Sequence, residues 1–211
     1  MTRFEELSRP WQRIFELEWE SLCQGSRAIA AVIADAEGNI ISEGRNATGE
    51  TLIPNPKAAH AETEAIRGLD TGKYPDVRSY TLYAGLEPCV MCMGTLVMGG
   101  IRHVVIGASD NFGGAMSLID LFPFAKSKGI EVVFKGGIYG EMQRAFQTLK
   151  ELLYTADKDR LEIILADFSV YNAAGVAAAR ELFDSRLFSE RKPSDFTASE
   201  IFDMLAVKIG S

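Results

Sequence analysis

The chain has 211 residues, 47% of them hydrophobic and 24% charged, with a formal net charge of −7. That composition argues against wholesale disorder and supplies a sizeable core, as one domain with an appendage or as two small domains. An acidic balance works against long-range attraction to a phosphate backbone. Three cysteines, two of them in one Cys-x-x-Cys, argue against a disulfide framework and for a reducing compartment. The first residues lack a basic region followed by an apolar one, and no uninterrupted apolar run approaches the ~20 residues that span a bilayer. The expectation is a soluble, cytoplasmic chain with no membrane partner.

Residues 2–24 read as helical. Thr2 and Glu5 have capping-box spacing, and Phe4, Leu7, Trp11, Ile14, Phe15, Leu17 and Leu22 recur at three- and four-residue steps. Pro10 is expected to break or kink this stretch, and Gly25 to cap its end. Two short apolar runs, 28–34 and 40–43, flank the turn-rich Asp35-Ala36-Glu37-Gly38-Asn39 and read as a hairpin. Residues 44–58 carry Gly44, Gly49, Pro54 and Pro56 and read as a loop leading into His60.

Residues 59–69 favour helix, Tyr80-Thr81-Leu82-Tyr83-Ala84 favours strand, and 88–98 favours a helix with Pro88 near its first turn and Gly99-Gly100 at its end. His103 to Gly107 reads as a buried strand, and Ile130 to Phe134 as another. About twenty residues separate these two strands. A hairpin does not need that length, whereas a helical crossover between parallel strands does. Residues 138–153 read as a further helix. In the last quarter, Leu161 to Ala166 is expected to be a strand, Val170 to Phe188 a helix, Arg191 to Ser194 a linker, and Thr197-Ala198-Ser199-Glu200 a capping box opening a final helix. Helices alternating with strands give an α/β sandwich around a mixed sheet.

The chemistry concentrates in His60-Ala61-Glu62 and Pro88-Cys89-Val90-Met91-Cys92. Cys89 and Cys92, three apart at a helix start, share one face. The positive end of the helix favours thiolates, the metal-binding form. Spacing alone leaves a redox dithiol or a buried thiol pair as alternatives. The His-x-Glu segment decides between them, because with Pro-Cys-x-x-Cys it reproduces the signature of zinc-dependent base deaminases. Three ligands, His60, Cys89 and Cys92, are what a catalytic zinc takes when a fourth position stays open. Cys23 and His103 are poorly placed to be the fourth ligand. Glu62 is then the general base that takes a proton from water and returns protons to the ring nitrogen and the departing ammonia.

On these residues the chain resembles the cytidine and deoxycytidylate deaminase superfamily, from about Ala28 to Leu153. The resemblance rests on Gly44-Arg45-Asn46, Ala59-His60-Ala61-Glu62, Thr81-Leu82-Tyr83, Glu87 to Gly94 and Val104 to Asp110. It looks closest to the branch that holds guanine, fungal cytosine and tRNA adenosine deaminases. It implies a three-layer α/β/α sandwich with a five-stranded mixed sheet, the last two strands parallel, one zinc ion per chain and a homodimer. It also implies substrate contacts from Asn46, the Ala61 backbone and Asp110, with Glu87 bracing the loop. Residues 1–154 are then the deaminase domain. Residues 155–211 are a mostly helical C-terminal extension packed on the same domain or at an oligomer interface, with Tyr154, Phe168 or Tyr171 as ring-stacking walls.

The expected activity is hydrolytic deamination of a small amino-substituted nucleobase or nucleoside. The competing reading is a tRNA-specific adenosine deaminase. Two departures weigh against tRNA: Leu149-Lys150-Glu151-Leu152-Leu153 replaces the paired aromatics and basic tail typical of those enzymes, and Pro54 to Ala59 replaces their usual entry to the His motif. A third reading, an idle binding protein on the same fold, is opposed by the intact Glu62.

Overall fold

A computed structural model describes residues 2–210. Its centre is one sheet of β1 (Ala30–Ala34), β2 (Ile40–Arg45), β3 (Thr81–Leu86), β4 (His103–Ala108) and β5 (Glu131–Phe134), ordered β2-β1-β3-β4-β5. β1 runs antiparallel to β2 and β3, while β3, β4 and β5 are mutually parallel. The mixed sheet and its parallel final pair therefore match the expectation. The crossover into β5 is built from a 3₁₀ turn (Met116–Leu121) and a short helix rather than one long helix.

The helices are α1 (Arg9–Cys23), α2 (Ala61–Gly68), α3 (Val90–Gly99), α4 (Pro123–Lys126), α5 (Gly137–Tyr154), α6 (Lys158–Asp184), α7 (Leu187–Glu190) and α8 (Ala198–Ile209). Strand alternation sends side chains to two separate cores. Ala31, Ile33, Leu82, Ala84, Val104 and Ile106 face α2 and α3. Ala30, Val32, Tyr83 and Val105 face α1 and α5, where Trp11, Phe15, Trp19 and Phe146 pack. α8 closes this second core with Ile201, Phe202 and Leu205, all fully buried. Phe202 lies 5.2 Å from Phe15 between ring centres, and the Trp19 indole donates to the Phe196 carbonyl at 2.8 Å.

Four local expectations need correction. The first helix does not begin at Thr2: a 3₁₀ turn (Phe4–Glu6) precedes α1, and Pro10 sits at its second residue. A proline there loses no hydrogen bond that the helix would have made, so it starts the helix instead of kinking it. Pro88 likewise lies before α3, whose N-cap is Cys89.

The predicted strand at Leu161 to Ala166 is the opening of α6, capped by Asp157, whose side chain accepts from the Arg160 amide at 3.1 Å. Four adjacent apolar residues suit a strand or a buried helix equally; the longer spacing Leu161, Leu165, Phe168, Val176, Ala179, Leu182 is helical. Finally, α6 is long and apolar enough by length and composition to cross a bilayer, unlike any stretch singled out from the sequence. It is kinked at Asn172, and Leu165, Val176, Ala178, Ala179 and Leu182 are buried in the protein.

The end of α1 follows its prediction closely. Gly25 takes φ +77°, its amide donates to Leu22, and Ser26 donates to Ser21, the paired bonds of a Schellman cap.

Candidate active site

The candidate metal ligands come from the starts of two neighbouring helices. His60 is the N-cap of α2 and Cys89 the N-cap of α3, while Cys92 lies one turn into α3. α2 approaches β2 so closely that a Cβ on Gly44 would lie 2.2 Å from the Ala61 carbonyl oxygen, so this glycine lets α2 seat against the sheet.

The three ligand atoms form a tight triangle. Cys89 Sγ and Cys92 Sγ are 3.7 Å apart, and His60 Nδ1 lies 3.5 Å from the first and 3.6 Å from the second. Zn–S bonds of ~2.3 Å and Zn–N bonds of ~2.0 Å at tetrahedral angles demand edges of about 3.7–3.8 Å between sulfurs and about 3.5 Å between sulfur and nitrogen. The observed triangle has the dimensions of one face of a tetrahedral zinc site, and among the described residues no further Cys or His joins it. His103, weighed above as a fourth ligand, instead meets Glu131 across the β4–β5 edge at 3.1 Å. Among the described residues, these three alone bring His, Cys, Asp or Glu ligand atoms mutually within 4.8 Å.

Glu62 is buried and stands just outside that group, with Oε2 3.3 Å from Cys92 Sγ. Burial raises its carboxyl above the ordinary range. His60 is raised too, chiefly by its hydrogen bond to Cys89. The thiols move oppositely: Cys92 and His60 hold Cys89 far below the usual thiol value, while the adjacent Cys89 thiolate pushes Cys92 up. A divalent cation would bind both sulfurs as thiolates. Thr63, which no sequence signal singled out, adds a hydroxyl 3.6 Å from Cys92 Sγ.

Of the residues expected to meet substrate, Ala61 is the first residue of α2 and buried. Its amide belongs to the first turn, whose N–H groups have no intrahelical acceptor. Asn46 is buried, and its Oδ1 accepts from the Thr48 amide at 3.1 Å and hydroxyl at 2.8 Å. That is the turn role available to any such Asn, and it leaves the amide nitrogen for another partner. Asp110 is tied to Arg144 at 3.3 Å and to the Phe112 amide at 3.2 Å. Glu87 braces the loop, as expected: it accepts from the Asp110 amide and the Met116 amide, each at 3.1 Å. Of the three aromatics named as ring walls, Phe168 lines the adjoining cavity. Tyr154 and Tyr171 are largely exposed.

A family model described as the cytidine and deoxycytidylate deaminase zinc-binding region matches residues 5–108. The tRNA-specific adenosine deaminase of Haemophilus influenzae is 36% identical over 102 residues, which are 48% of this chain and 57% of that protein. A probable cytosine deaminase of Schizosaccharomyces pombe is 33% identical over 87 residues, 41% of this chain and 51% of that one. The chain thus spans little more than half the length of these relatives.

Among solved structures, a chain from work on tRNA:A34 deaminases superposes with a TM-score of 0.51 at 25% identity, covering 64% of this chain and 97% of that one. A protein solved with 2,6-diaminopurine superposes with a TM-score of 0.53 at 22% identity over 72% and 86%, a likeness of fold. Sheet order, the His-x-Glu and Pro-Cys-x-x-Cys segments meeting at two helix starts, and these matches agree: the chain belongs to the cytidine and deoxycytidylate deaminase superfamily.

Proposed function

We propose that this chain hydrolytically deaminates a small amino-substituted nucleobase or nucleoside, with one zinc ion held by His60, Cys89 and Cys92 and with Glu62 as its proton carrier. The observation that carries the reading is the ligand triangle of 3.5, 3.6 and 3.7 Å with a buried carboxylate beside it. When bound there, the ion supplies the Lewis acidity that brings water close to ionisation near neutral pH. Glu62 takes a proton as water adds to the amino-bearing ring carbon, and passes it to the adjacent ring nitrogen. A second proton goes to the amino group, the C–N bond breaks, and ammonia leaves as the ring carbonyl forms. In this reading the Ala61 amide and the Asn46 amide nitrogen orient the ring, and Asp110 bounds its approach from the rim.

The alternative, tRNA adenosine editing, is favoured by the Haemophilus influenzae relative. The net charge of −7 favours the small molecule. We assign residues 1–154 to the deaminase domain and 155–211 to an extension folded onto it. We expect a cytoplasmic homodimer, an assembly supported by the exposed Phe122, Phe124, Val133 and Phe134 around the β5 edge. Ammonia release from the zinc-loaded protein, offered a panel of bases, nucleosides and a tRNA transcript, tests this reading. Turnover of a base or nucleoside supports it, and turnover of the transcript alone gives the alternative.

A further inference from the structure

A cavity of about 400 Å³, lined by none of the ligand-triangle residues, lies between the Asp110 turn, α5 and α6. That volume falls in the range of small-ligand sites and exceeds what one planar ring needs. One wall is apolar, with Leu86 from the end of β3 and Ile163, Ile164 and Phe168 from α6. The other is charged, and its charges are unequal in what they leave free.

Each of the three acids in the lining is already engaged. Asp110 is paired with Arg144. Glu151 takes Lys150 at 3.1 Å and the Thr155 hydroxyl. Asp167 accepts from the Asn111 side chain at 3.0 Å. Arg144 is itself consumed, donating to Asp110 and the Ser109 carbonyl while its guanidinium lies 4.5 Å from the Phe168 ring centre. Arg27 and Arg160 remain. Both are exposed at the cavity, and neither guanidinium has a hydrogen-bond or ion-pair partner among the described residues. In a chain of net charge −7, two unpartnered arginines on one cavity offer positive charge to an anion beside an aromatic and aliphatic wall.

The cavity is tied to the candidate centre through the segment that carries Cys89 and through the Asp110 turn, since Leu86 and Asp110 both line it. Leu86 precedes Glu87, whose carboxylate fixes the Asp110 turn, and Cys89 follows two residues later. We propose that this cavity holds the phosphate-bearing part of the substrate, so that the ring presented to Glu62 belongs to a nucleoside monophosphate, with Arg27 and Arg160 on the phosphate. The proposal rests on the deaminase reading and adds the substrate class. An RNA backbone fits less well, because the helix start that carries Arg160 also carries Asp157, Asp159 and Glu162. A single phosphate needs only the two arginines, whereas a polyanion would run on into those acids.

The test uses the zinc-loaded full chain and the matched series cytosine, cytidine and CMP; guanine, guanosine and GMP; adenine, adenosine and AMP. In the series that releases ammonia, kcat/KM for the monophosphate is expected to exceed that for the nucleoside by about tenfold or more, and Arg160→Ala and Arg27→Ala each to erode that ratio. Added salt should erode it as well. Equal turnover of nucleoside and monophosphate, a ratio that neither substitution moves, or turnover of a tRNA transcript alone overturns the proposal and leaves the deaminase reading standing.

If nothing releases ammonia, that reading fails, and calorimetric titration with CMP, GMP and AMP decides the site by itself. Binding that Arg160→Ala weakens about tenfold sustains the phosphate site, and absence of binding by all three overturns it.

Discussion

Cys92 is buried at the first turn of α3, touching Cys89, His60, Thr63 and Glu62 at once. Removing its sulfur takes away one of three donors and leaves a thiolate and a carboxyl facing a hole. Cys92→Ala is expected to reduce zinc content from one per chain toward none, read by emission spectrometry. It should also lower unfolding free energy by about 2 kcal/mol or more, since metal binding and folding are linked. Full zinc content in that variant would contradict the ligand assignment.

A second residue-scale prediction concerns Glu18, fully buried in α1, whose carboxyl oxygens make no well-formed hydrogen bond among the described residues. Burial pushes this carboxyl well above its ordinary range, and the nearby Gln143 side chain and Ala30 backbone oppose the shift only in part. A carboxyl raised on folding binds its proton more tightly in the folded than in the unfolded state. Its contribution to stability is therefore complete below the unfolded value of ~4.3 and is lost as pH rises toward the folded one. Glu18→Gln cannot ionise, so urea midpoints at about pH 5 and about pH 8 should show the native chain losing stability relative to the variant. Parallel losses would contradict it. The meeting of His60, Glu62, Cys89 and Cys92 was legible because the pattern is carried by fixed local spacings. The solitary carboxyl of Glu18 and the coupling of Arg144 to Asp110 and Phe168 were not, since they depend on α1, α5 and α6 meeting residues remote in sequence.

At the scale of elements, strands and helices with a clean period were readable. The two faces of β1, β3 and β4 feed separate cores as alternation requires, and the Thr197 capping box opens α8 as its spacing predicts. α6 was misread where a short apolar window lacked its own period, and only its packing settles the matter. α8 carries the clearest energetic consequence. Phe202 is fully buried, with its ring 5.6 Å from Phe4 and 5.2 Å from Phe15 between centres. Phe202→Ala should lower stability by ~3–5 kcal/mol, measured by urea unfolding, because the cavity lies in the core shared with α1. A loss under about 1 kcal/mol would mean that α8 is an appendage with little role in holding the first helix.

For the whole molecule, the sheet brings the ends of β3 and β4 together, so segments 60–62, 87–92 and 108–116 converge at one edge. The parallel β4–β5 pair was deducible from linker length, whereas the long-range convergence that leaves Arg27 and Arg160 on one cavity was not. An acidic molecule with a half-buried ligand triangle suits a small substrate better than a long polyanion.

A metal and a carboxylate that divide the work at this edge are separated by Glu62→Ala. Zinc content and ammonia release should be measured on the same preparations of native protein and variant, using whichever substrate the native protein turns over. Zinc is expected to be retained at one per chain and turnover to fall by ~10²–10⁴-fold or more, the contribution of a positioned general base. Undiminished ammonia release from a zinc-loaded Glu62→Ala protein would contradict it.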